Sequence, residues 1–261
     1  MIFLLIVPLV VALLWITGLL AATDFSIPLK NTKQLRRVLV IFPHADDEAI
    51  TCSGSLHRLA RRGCTVTLVI LTKGEKGPRA MLKGNLKDIR TREAQAAAAI
   101  LGISRLIQED FGDGELSNKK LELKAFIAAT IEQEKPDLLI TYDLSGLYGH
   151  TDHITCSEII TELKKTRFPA LPLWYATFPK RVLARIRPPD DLAIDPHFQE
   201  QQALPTHKLF IGGSIIPKIK AWYTYQSQRA ALAKGIGTFI PFWILWFLLS
   251  MVLFEYFAEA S

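Results

Sequence analysis

The sequence contains little cysteine: three cysteines occur in 261 residues, and none of them forms a Cys-x-x-Cys pair. Cys52, Cys64 and Cys156 all lie in stretches with the composition of a helix or a strand. Zinc-finger spacing is therefore absent. The pattern is typical of reduced thiols in the core of a protein from a reducing compartment.

Motifs for nucleic-acid recognition are also absent. The chain is basic, with 31 Lys and Arg against 25 Asp and Glu and a pI near 9.2. Neither a helix-turn-helix nor an aromatic ribonucleoprotein motif accompanies this charge, and a basic balance alone does not indicate a DNA- or RNA-binding protein. We therefore predict no nucleic-acid partner.

Charge is missing from two long runs near the ends of the chain, residues 2–22 and residues 236–254. At ~1.5 Å rise per residue, the first run would reach about 30 Å, the hydrocarbon thickness of a bilayer. A cleaved signal peptide is an alternative for the first run, but no Lys or Arg precedes it. A core helix is an alternative for both runs, but neither has a polar face. We predict two transmembrane helices, at 2–22 and 236–254.

The distribution of basic residues predicts how these spans are oriented. Only Glu255 and Glu259 carry charge on the outer flanks, whereas basic residues cluster on the inner flanks. The clustered residues are Lys30, Lys33, Arg36, Arg37, Lys218, Lys220, Arg229 and Lys234. By the positive-inside rule, we predict an integral membrane protein with its central domain in the cytoplasm and both short tails on the far side.

Between the two runs, strand-like segments alternate with helical patterns. These segments are Val38–Phe42, Thr65–Thr72, Leu106–Glu109, Leu138–Tyr142 and Leu171–Thr177, with a last strand at Lys208–Ile211. Strands that are apolar on both faces and alternate with helices predict an α/β fold with a Rossmann-like, doubly wound, mostly parallel sheet. In such a fold the ligand crevice lies beyond the carboxyl ends of the strands.

Two polar loops fall at predicted strand ends. Pro43-His44-Ala45-Asp46-Asp47-Glu48 follows the first strand, and Gly149-His150-Thr151-Asp152-His153 follows the strand that ends at Tyr142. We expect the loops to face each other across one crevice. Two histidines and a carboxylate are a usual ligand set for catalytic zinc, and a neighbouring carboxylate can act as general base. Alternatives stay open: carboxylates also suit Mg²⁺, a lone histidine is more often structural, and Asp-Asp-Glu is a common helix N-cap cluster.

The same two loops resemble the motifs of the PIG-L/LmbE-like family, which comprises the N-acetylglucosaminyl-phosphatidylinositol de-N-acetylases and their bacterial relatives. The resemblance covers about residues 36–230, by the spacing of motifs along the strand and helix pattern. We predict that this range is the deacetylase domain. Further segments that match the family are 72–77, 90–93, 97–102, 113–114 and 225–228.

The resemblance implies a role for each residue of the two loops. His44, Asp47 and His153 stand where the family binds zinc, although another divalent metal is possible. Asp46 stands at the position of the general base. His150 matches the histidine that stabilises the tetrahedral intermediate.

The resemblance also implies residues that contact substrate. Arg90 and Asp113 match positions that hold sugar or polyol hydroxyls, and Tyr148 stands where some relatives have a mobile tyrosine. Tyr225 departs from the family, because many relatives have His before the Ser-Gln pair. This departure concerns the C-terminal helix and leaves the metal site unaffected.

Together these features predict a membrane-anchored, zinc-dependent de-N-acetylase that hydrolyses the acetamide of an N-acetylglucosamine-type sugar carried on a lipid. One alternative is a membrane-tethered protein that binds sugar or lipid without turnover. Another is a zinc amidase acting on a small soluble metabolite. The complete set of His and Asp residues in the two loops favours an enzyme.

Overall fold

A mixed β-sheet with helices on both faces is the framework of this protein. The computed structural model describes residues 2–77, 84–184, 195, 197–228 and 252–260. In these ranges the strands are β1 (Arg37–Phe42), β2 (Thr65–Ile70), β3 (Arg105–Gln108), β4 (Leu138–Thr141), β5 (Leu173–Thr177), β6 (His207–Phe210) and β7 (Phe254–Glu259). The helices are α1 (Ile2–Ala22), α2 (Asp47–Thr51), α3 (Ser53–Arg61), α4 (Leu86–Leu101), α5 (Lys120–Glu134), α6 (Gly146–Gly149), α7 (Thr151–Thr166), α8 (Lys180–Leu183) and α9 (Ile215–Thr224).

The strand order in the described part of the sheet is β3-β2-β1-β4-β5-β7-β6. The first five strands in this order are parallel, and β7 is antiparallel to both of its neighbours. The predicted α/β fold with a mostly parallel sheet is therefore confirmed. The strand β7 was not predicted.

Apolar residues on both faces of the central strands explain this arrangement. In β1, Val38, Val40 and Phe42 join one buried cluster, whereas Leu39 and Ile41 join a second cluster. Helices α3, α4 and α9 contribute to the first cluster, and helices α5 and α7 contribute to the second. A strand that is covered on both faces requires an unbroken apolar sequence.

The strand order reverses between β1 and β4, and this point is where the site lies. From β1 the chain proceeds to β2 and β3 on one side, whereas β5 follows β4 on the other side. Such a switch point opens a crevice beyond the carboxyl ends of the two strands. The loop after β1 and the segment that follows β4 both begin there.

The predicted two-span membrane location is wrong. Helix α1 forms over the first apolar run and includes Pro8, but within the described ranges no helix combines the length and the hydropathy needed to cross a bilayer. Of the second predicted span, residues 236–251 lie outside the described residues. The end of that run enters strand β7 at Phe254. An uncharged apolar run does not by itself identify what covers it, and in α1 Leu9 and Leu13 are largely exposed.

The prediction that the C-terminal tail lies on the far side of a membrane is also wrong. Glu255 and Glu259 belong to β7, which pairs with β5 and β6 in the sheet that carries β1. Tyr256, Phe257 and Ala258 are buried in that sheet. The tail therefore belongs to the same domain as the predicted site.

A buried ion pair connects β7 to two helices. Glu255 accepts a hydrogen bond from Lys218 Nζ of α9 at 2.6 Å, and the two side chains are 1% and 5% exposed. The same carboxylate accepts from the backbone N–H groups of Gly54 at 3.0 Å and Ser55 at 2.6 Å. These N–H groups lie in the first turn of α3, where they have no partner within the helix. Glu255 thus links the last strand to the helices that follow the β1 loop.

We expect Glu255→Ala to lower the free energy of unfolding by about 3–5 kcal/mol, because it leaves the Lys218 ammonium buried without a partner. Glu132→Ala is the control, since Glu132 pairs with Arg167 where both side chains are 52% exposed. An exposed pair of this kind contributes about 1 kcal/mol or less. Chemical denaturation of both variants checks the prediction. Equal losses would show that the buried pair contributes no more than a surface pair.

Candidate metal centre

The loop after β1 turns sharply at Asp46. Pro43 O at its start accepts hydrogen bonds from the backbone N–H of Thr72 and from Thr72 Oγ1, both at 3.0 Å. Asp46 has φ 106° and ψ −21° and precedes helix α2. Asp47 folds back to accept the backbone N–H of His44 at 2.9 Å. These contacts bring the side chains of His44 and Asp47 to the same side of the loop.

The three predicted metal ligands lie together and are buried. His44 Nδ1 is 3.1 Å from His153 Nε2, which is 3.5 Å from Asp47 Oδ1. Asp47 Oδ2 is 4.0 Å from His44 Nδ1. Ligand atoms at ~2.0–2.1 Å from a tetrahedral zinc lie roughly 3.3 Å apart. The histidine nitrogens match this spacing at 3.1 Å, whereas Asp47 approaches the two histidines through different oxygens, at 3.5 Å and 4.0 Å.

His153 is oriented by the turn that precedes helix α7. Its Nδ1 lies 3.1 Å from Gly146 O, so Nδ1–H can donate to this carbonyl and leave a lone pair on Nε2. Burial and the neighbouring histidines lower the pKa of His153 well below its usual value. A neutral imidazole with a fixed tautomer is the form that binds a metal. Gly146 has φ +59°, and a Cβ there would lie 2.7 Å from His153 Cβ, so the turn requires glycine.

His44 uses its other nitrogen to contact two carboxylates. Nε2 lies 3.0 Å from Asp113 Oδ1 and 3.2 Å from Asp152 Oδ2. Burial disfavours the charged imidazole, but the hydrogen bonds to Asp113 and Asp152 outweigh burial and raise the pKa of His44 to about 10. Metal binding at Nδ1 would displace the proton on that nitrogen, while Nε2–H can remain hydrogen-bonded to the carboxylates.

In the described residues, the predicted set does not bring one ligand atom from each of its three members within 4.8 Å of one another, but two other triads do. They are His44 with His150 and His153, and His44 with Asp113 and Asp152. Both triads share His44 with the predicted set. The geometry therefore places more donors around His44 than the sequence indicated.

Asp46, the predicted general base, adjoins the candidate ligands. Its side chain is buried, and Oδ1 lies 4.0 Å from Arg90 Nη2. Burial raises the pKa of Asp46 well above its usual value, although Arg90 opposes the shift. A carboxylate with a raised pKa is a better proton acceptor at neutral pH than an exposed one.

His150 is half-buried, and its ring centroid lies 4.9 Å from those of both His44 and His153. Burial and the positive charge of His44 lower the pKa of His150 to about 4. Its Nδ1 accepts the backbone N–H of Asp152 at 3.1 Å, so the proton of the neutral ring lies on Nε2. His150 is therefore a neutral ring that can donate through Nε2–H.

Arg90 of α4 forms hydrogen bonds to two loops, the one after β1 and the one after β2. Nη2 donates to Ala45 O at 2.9 Å, and Nη1 donates to Gly74 O at 3.2 Å. A Cβ at either Gly74 or Gly77 would lie 2.3 Å from the guanidinium. The two glycines of the Thr72–Gly77 segment therefore make room for Arg90. In this structure the guanidinium contacts backbone carbonyls, and Arg90 Nε has no hydrogen-bond partner among the described residues.

The other predicted substrate contacts adjoin the same cluster. Asp113 binds His44 and accepts the backbone N–H of Lys76 at 3.0 Å. The hydrogen bond to His44 lowers the pKa of Asp113, although burial opposes the shift. Tyr148 is half-buried, and its ring meets His153 edge-on at 5.0 Å.

Sequence reasoning missed two residues of this cluster. Asp152 contacts His44 and also accepts the backbone N–H groups of Gly114 at 2.7 Å and Leu116 at 3.2 Å. Tyr142 donates to Asp47 Oδ1 at 3.0 Å and stacks on His153 with centroids 4.7 Å apart. Tyr142 ends the predicted strand before the second polar loop, and Asp152 lies within that loop. Their positions at the strand end could have indicated that they belong to the site.

Comparison with known proteins agrees with these motifs. Residues 39–164 match the PIG-L family, described as GlcNAc-PI de-N-acetylase. The "Probable N-acetyl-alpha-D-glucosaminyl L-malate deacetylase 2" of Bacillus anthracis is 33% identical over 166 residues, which are 60% of this chain and 73% of that protein. The chain belongs to the PIG-L family, as its motifs predicted.

Two further relatives cover the chain to different extents. A 1D-myo-inositol 2-acetamido-2-deoxy-alpha-D-glucopyranoside deacetylase of Corynebacterium glutamicum is 36% identical in an alignment of 155 residues that covers 50% of this chain. The match spans about half of that relative, 53% of its length. The structure of N,N'-diacetylchitobiose deacetylase from Pyrococcus horikoshii superposes with a TM-score of 0.62 over 87% of this chain and 85% of that one. At 18% identity, this likeness shows the shared fold.

Proposed function

We propose that this protein is a zinc-dependent N-deacetylase that hydrolyses the acetamide of an N-acetylglucosamine-type sugar. The observation that carries the proposal is the buried group of His44, Asp47 and His153 with a second carboxylate, Asp46, beside it. Membership of the PIG-L family supports hydrolysis of a linear amide bond. The two sequence relatives are both named as deacetylases of N-acetylated glucosamine conjugates, which supports the class of substrate.

We assign the metal to His44, Asp47 and His153 in preference to the triad that contains His150. The carboxylate of Asp47 neutralises part of the charge of a divalent ion, as in the two-histidine, one-carboxylate sets of catalytic zinc sites. The nitrogen content of the set favours zinc over Mg²⁺, which prefers oxygen ligands. A metal held there would polarise the acetamide carbonyl as a Lewis acid and lower the pKa of a water molecule.

The remaining chemistry belongs to side chains. Asp46 accepts a proton from the attacking water as the new C–O bond forms at the acetamide carbon. His150 donates Nε2–H to the oxyanion that develops on that carbon. When the C–N bond breaks, Asp46–H returns its proton to the departing nitrogen. The products are acetate and the free amine of the sugar.

The lipid carrier and the membrane partner do not form part of this proposal. Both were expected because two predicted spans would have held the crevice near a bilayer, and that location is overturned. A soluble sugar conjugate is the form that we propose. The alternative of binding without turnover is disfavoured, because the candidate ligands and the candidate base are all present.

Acetate release tests this proposal. Purified protein would be incubated with N-acetylglucosaminyl malate, N-acetylglucosaminyl inositol, N,N'-diacetylchitobiose and an N-acetylglucosaminyl lipid, and acetate and primary amine would be measured. We expect equal amounts of both products from at least one soluble conjugate. The deacetylated compounds serve as blanks. Binding without release of acetate would favour the non-catalytic alternative, and release from the lipid alone would contradict the soluble substrate.

A further inference from the structure

The backbone of Asp46 adopts a conformation that is rare for a residue with a side chain. Its φ of 106° lies in the left-handed region, and such strain persists only where surrounding contacts enforce it. One of these contacts is visible: the backbone N–H of Asp46 donates to Glu48 Oε2 at 3.3 Å. The carboxylate of Glu48 therefore helps to hold Asp46 in this conformation.

The second oxygen of Glu48 is bound by a residue from a distant part of the chain. Tyr225 Oη donates to Glu48 Oε1 at 2.6 Å. Both side chains have 0% exposure, so water does not compete for the carboxylate. Because each oxygen of Glu48 has a different donor, the position of Tyr225 determines how the carboxylate is presented to Asp46.

Tyr225 is itself anchored to the helix that carries Arg90. Ser227 donates to the Glu93 carboxylate through its backbone N–H at 2.9 Å and through Oγ at 2.6 Å. Glu93 lies on α4, one turn after Arg90, whose Nη2 binds Ala45 O. Helix α4 therefore supports the loop around Asp46 along two routes, one through Arg90 and one through Tyr225 and Glu48.

We propose that Tyr225 is a positioning residue that acts through Glu48 to hold Asp46 where it can serve as the base. This inference rests on the proposed function, in which Asp46 takes the proton of the attacking water. Among the described residues, the Tyr225 hydroxyl donates to Glu48 and to none of the candidate ligands. Its effect is therefore on the rate of the chemical step, and substrate binding and metal binding stay unchanged.

Tyr225→Phe removes the hydroxyl and keeps the ring. We expect kcat to fall about tenfold, the equivalent of one lost hydrogen bond, with unchanged KM and metal content. Amide hydrogen exchange in residues 43–48 should become faster. Tyr175→Phe is the matched control, because Tyr175 Oη is also buried and lies 2.7 Å from Thr161 Oγ1 in the other core cluster. Its kcat should stay within about twofold of the wild type.

Two further variants test the route through Glu48. Tyr225→His keeps a ring N–H donor and should recover most of the lost kcat. Glu48→Gln combined with Tyr225→Phe should fall no further than Glu48→Gln alone, because residues on one route are not additive. Additive losses, or equal effects of Tyr225→Phe and Tyr175→Phe on both kcat and exchange, would overturn this inference. A wild-type protein that releases no acetate would instead overturn the proposed function, while the exchange comparison would still report on the contact.

Discussion

Asp46→Asn is expected to keep its metal and to lose kcat by a factor of ~10²–10⁴, the usual contribution of a general base. The amide has nearly the same shape as the carboxylate but cannot accept a proton at neutral pH. Asp46 is suited to this role because it is buried beside the candidate ligands, with Arg90 Nη2 4.0 Å from its carboxylate. Acetate release and metal content, measured on the same preparation, check the prediction.

The control for this prediction is Asp137→Asn, the same chemical change at the opposite end of β1. Asp137 Oδ2 accepts the backbone N–H groups of Arg36 at 2.7 Å and Arg37 at 2.8 Å. Its replacement should alter kcat by less than about twofold, because distant sites act independently. If Asp46→Asn retained a rate comparable to that of Asp137→Asn, Asp46 would have only a structural role at the start of α2.

The second large effect concerns the metal. Protein purified without added metal should contain about one divalent ion per chain, most of it zinc. His153→Ala should lose this ion, since His153 Nε2 lies between His44 Nδ1 at 3.1 Å and Asp47 Oδ1 at 3.5 Å. His57→Ala is the matched control, because His57 contacts Ser214 on another part of the fold. Elemental analysis after dialysis checks both variants.

The same measurement decides between the ligand sets. Asp47→Ala should release the metal and His150→Ala should retain it, if the ligands are His44, Asp47 and His153. The reverse result would assign the metal to the triad of His44, His150 and His153. Retention of full occupancy in His153→Ala would contradict both sets. Removal of the metal by a chelator should abolish acetate release, and added zinc should restore it.

The sequence by itself determined the parallel half of the fold. Strands β1 to β5 begin and end within a few residues of the predicted segments. Four of them, β1, β2, β4 and β5, are buried on both faces, and such a strand carries its own signal in an unbroken apolar run. The positions of the two polar loops followed directly, since the end of each run marks the end of a strand. The residue types in these loops, imidazole and carboxylate, indicated the chemistry of the site.

Only the tertiary structure decided where the last strand lies. The sequence placed a membrane span up to residue 254, and the structure begins β7 at Phe254. An apolar run does not by itself record whether lipid, a neighbouring strand or solvent surrounds it. Strand β7 depends on pairing with β5 and β6, which are distant in sequence.

The tertiary structure also decided the state of each side chain in the site. His44 and His153 are 109 residues apart, and His44 Nδ1 lies 3.1 Å from His153 Nε2. The carboxylates of Asp113 and Asp152 contact the other ring nitrogen of His44, Nε2. Glu48 and Tyr225 are 177 residues apart and share a hydrogen bond. Residue type determines which protonation states and ligands are available. Burial and the partners that packing brings together select among them, because the cost of a charge depends on its surroundings.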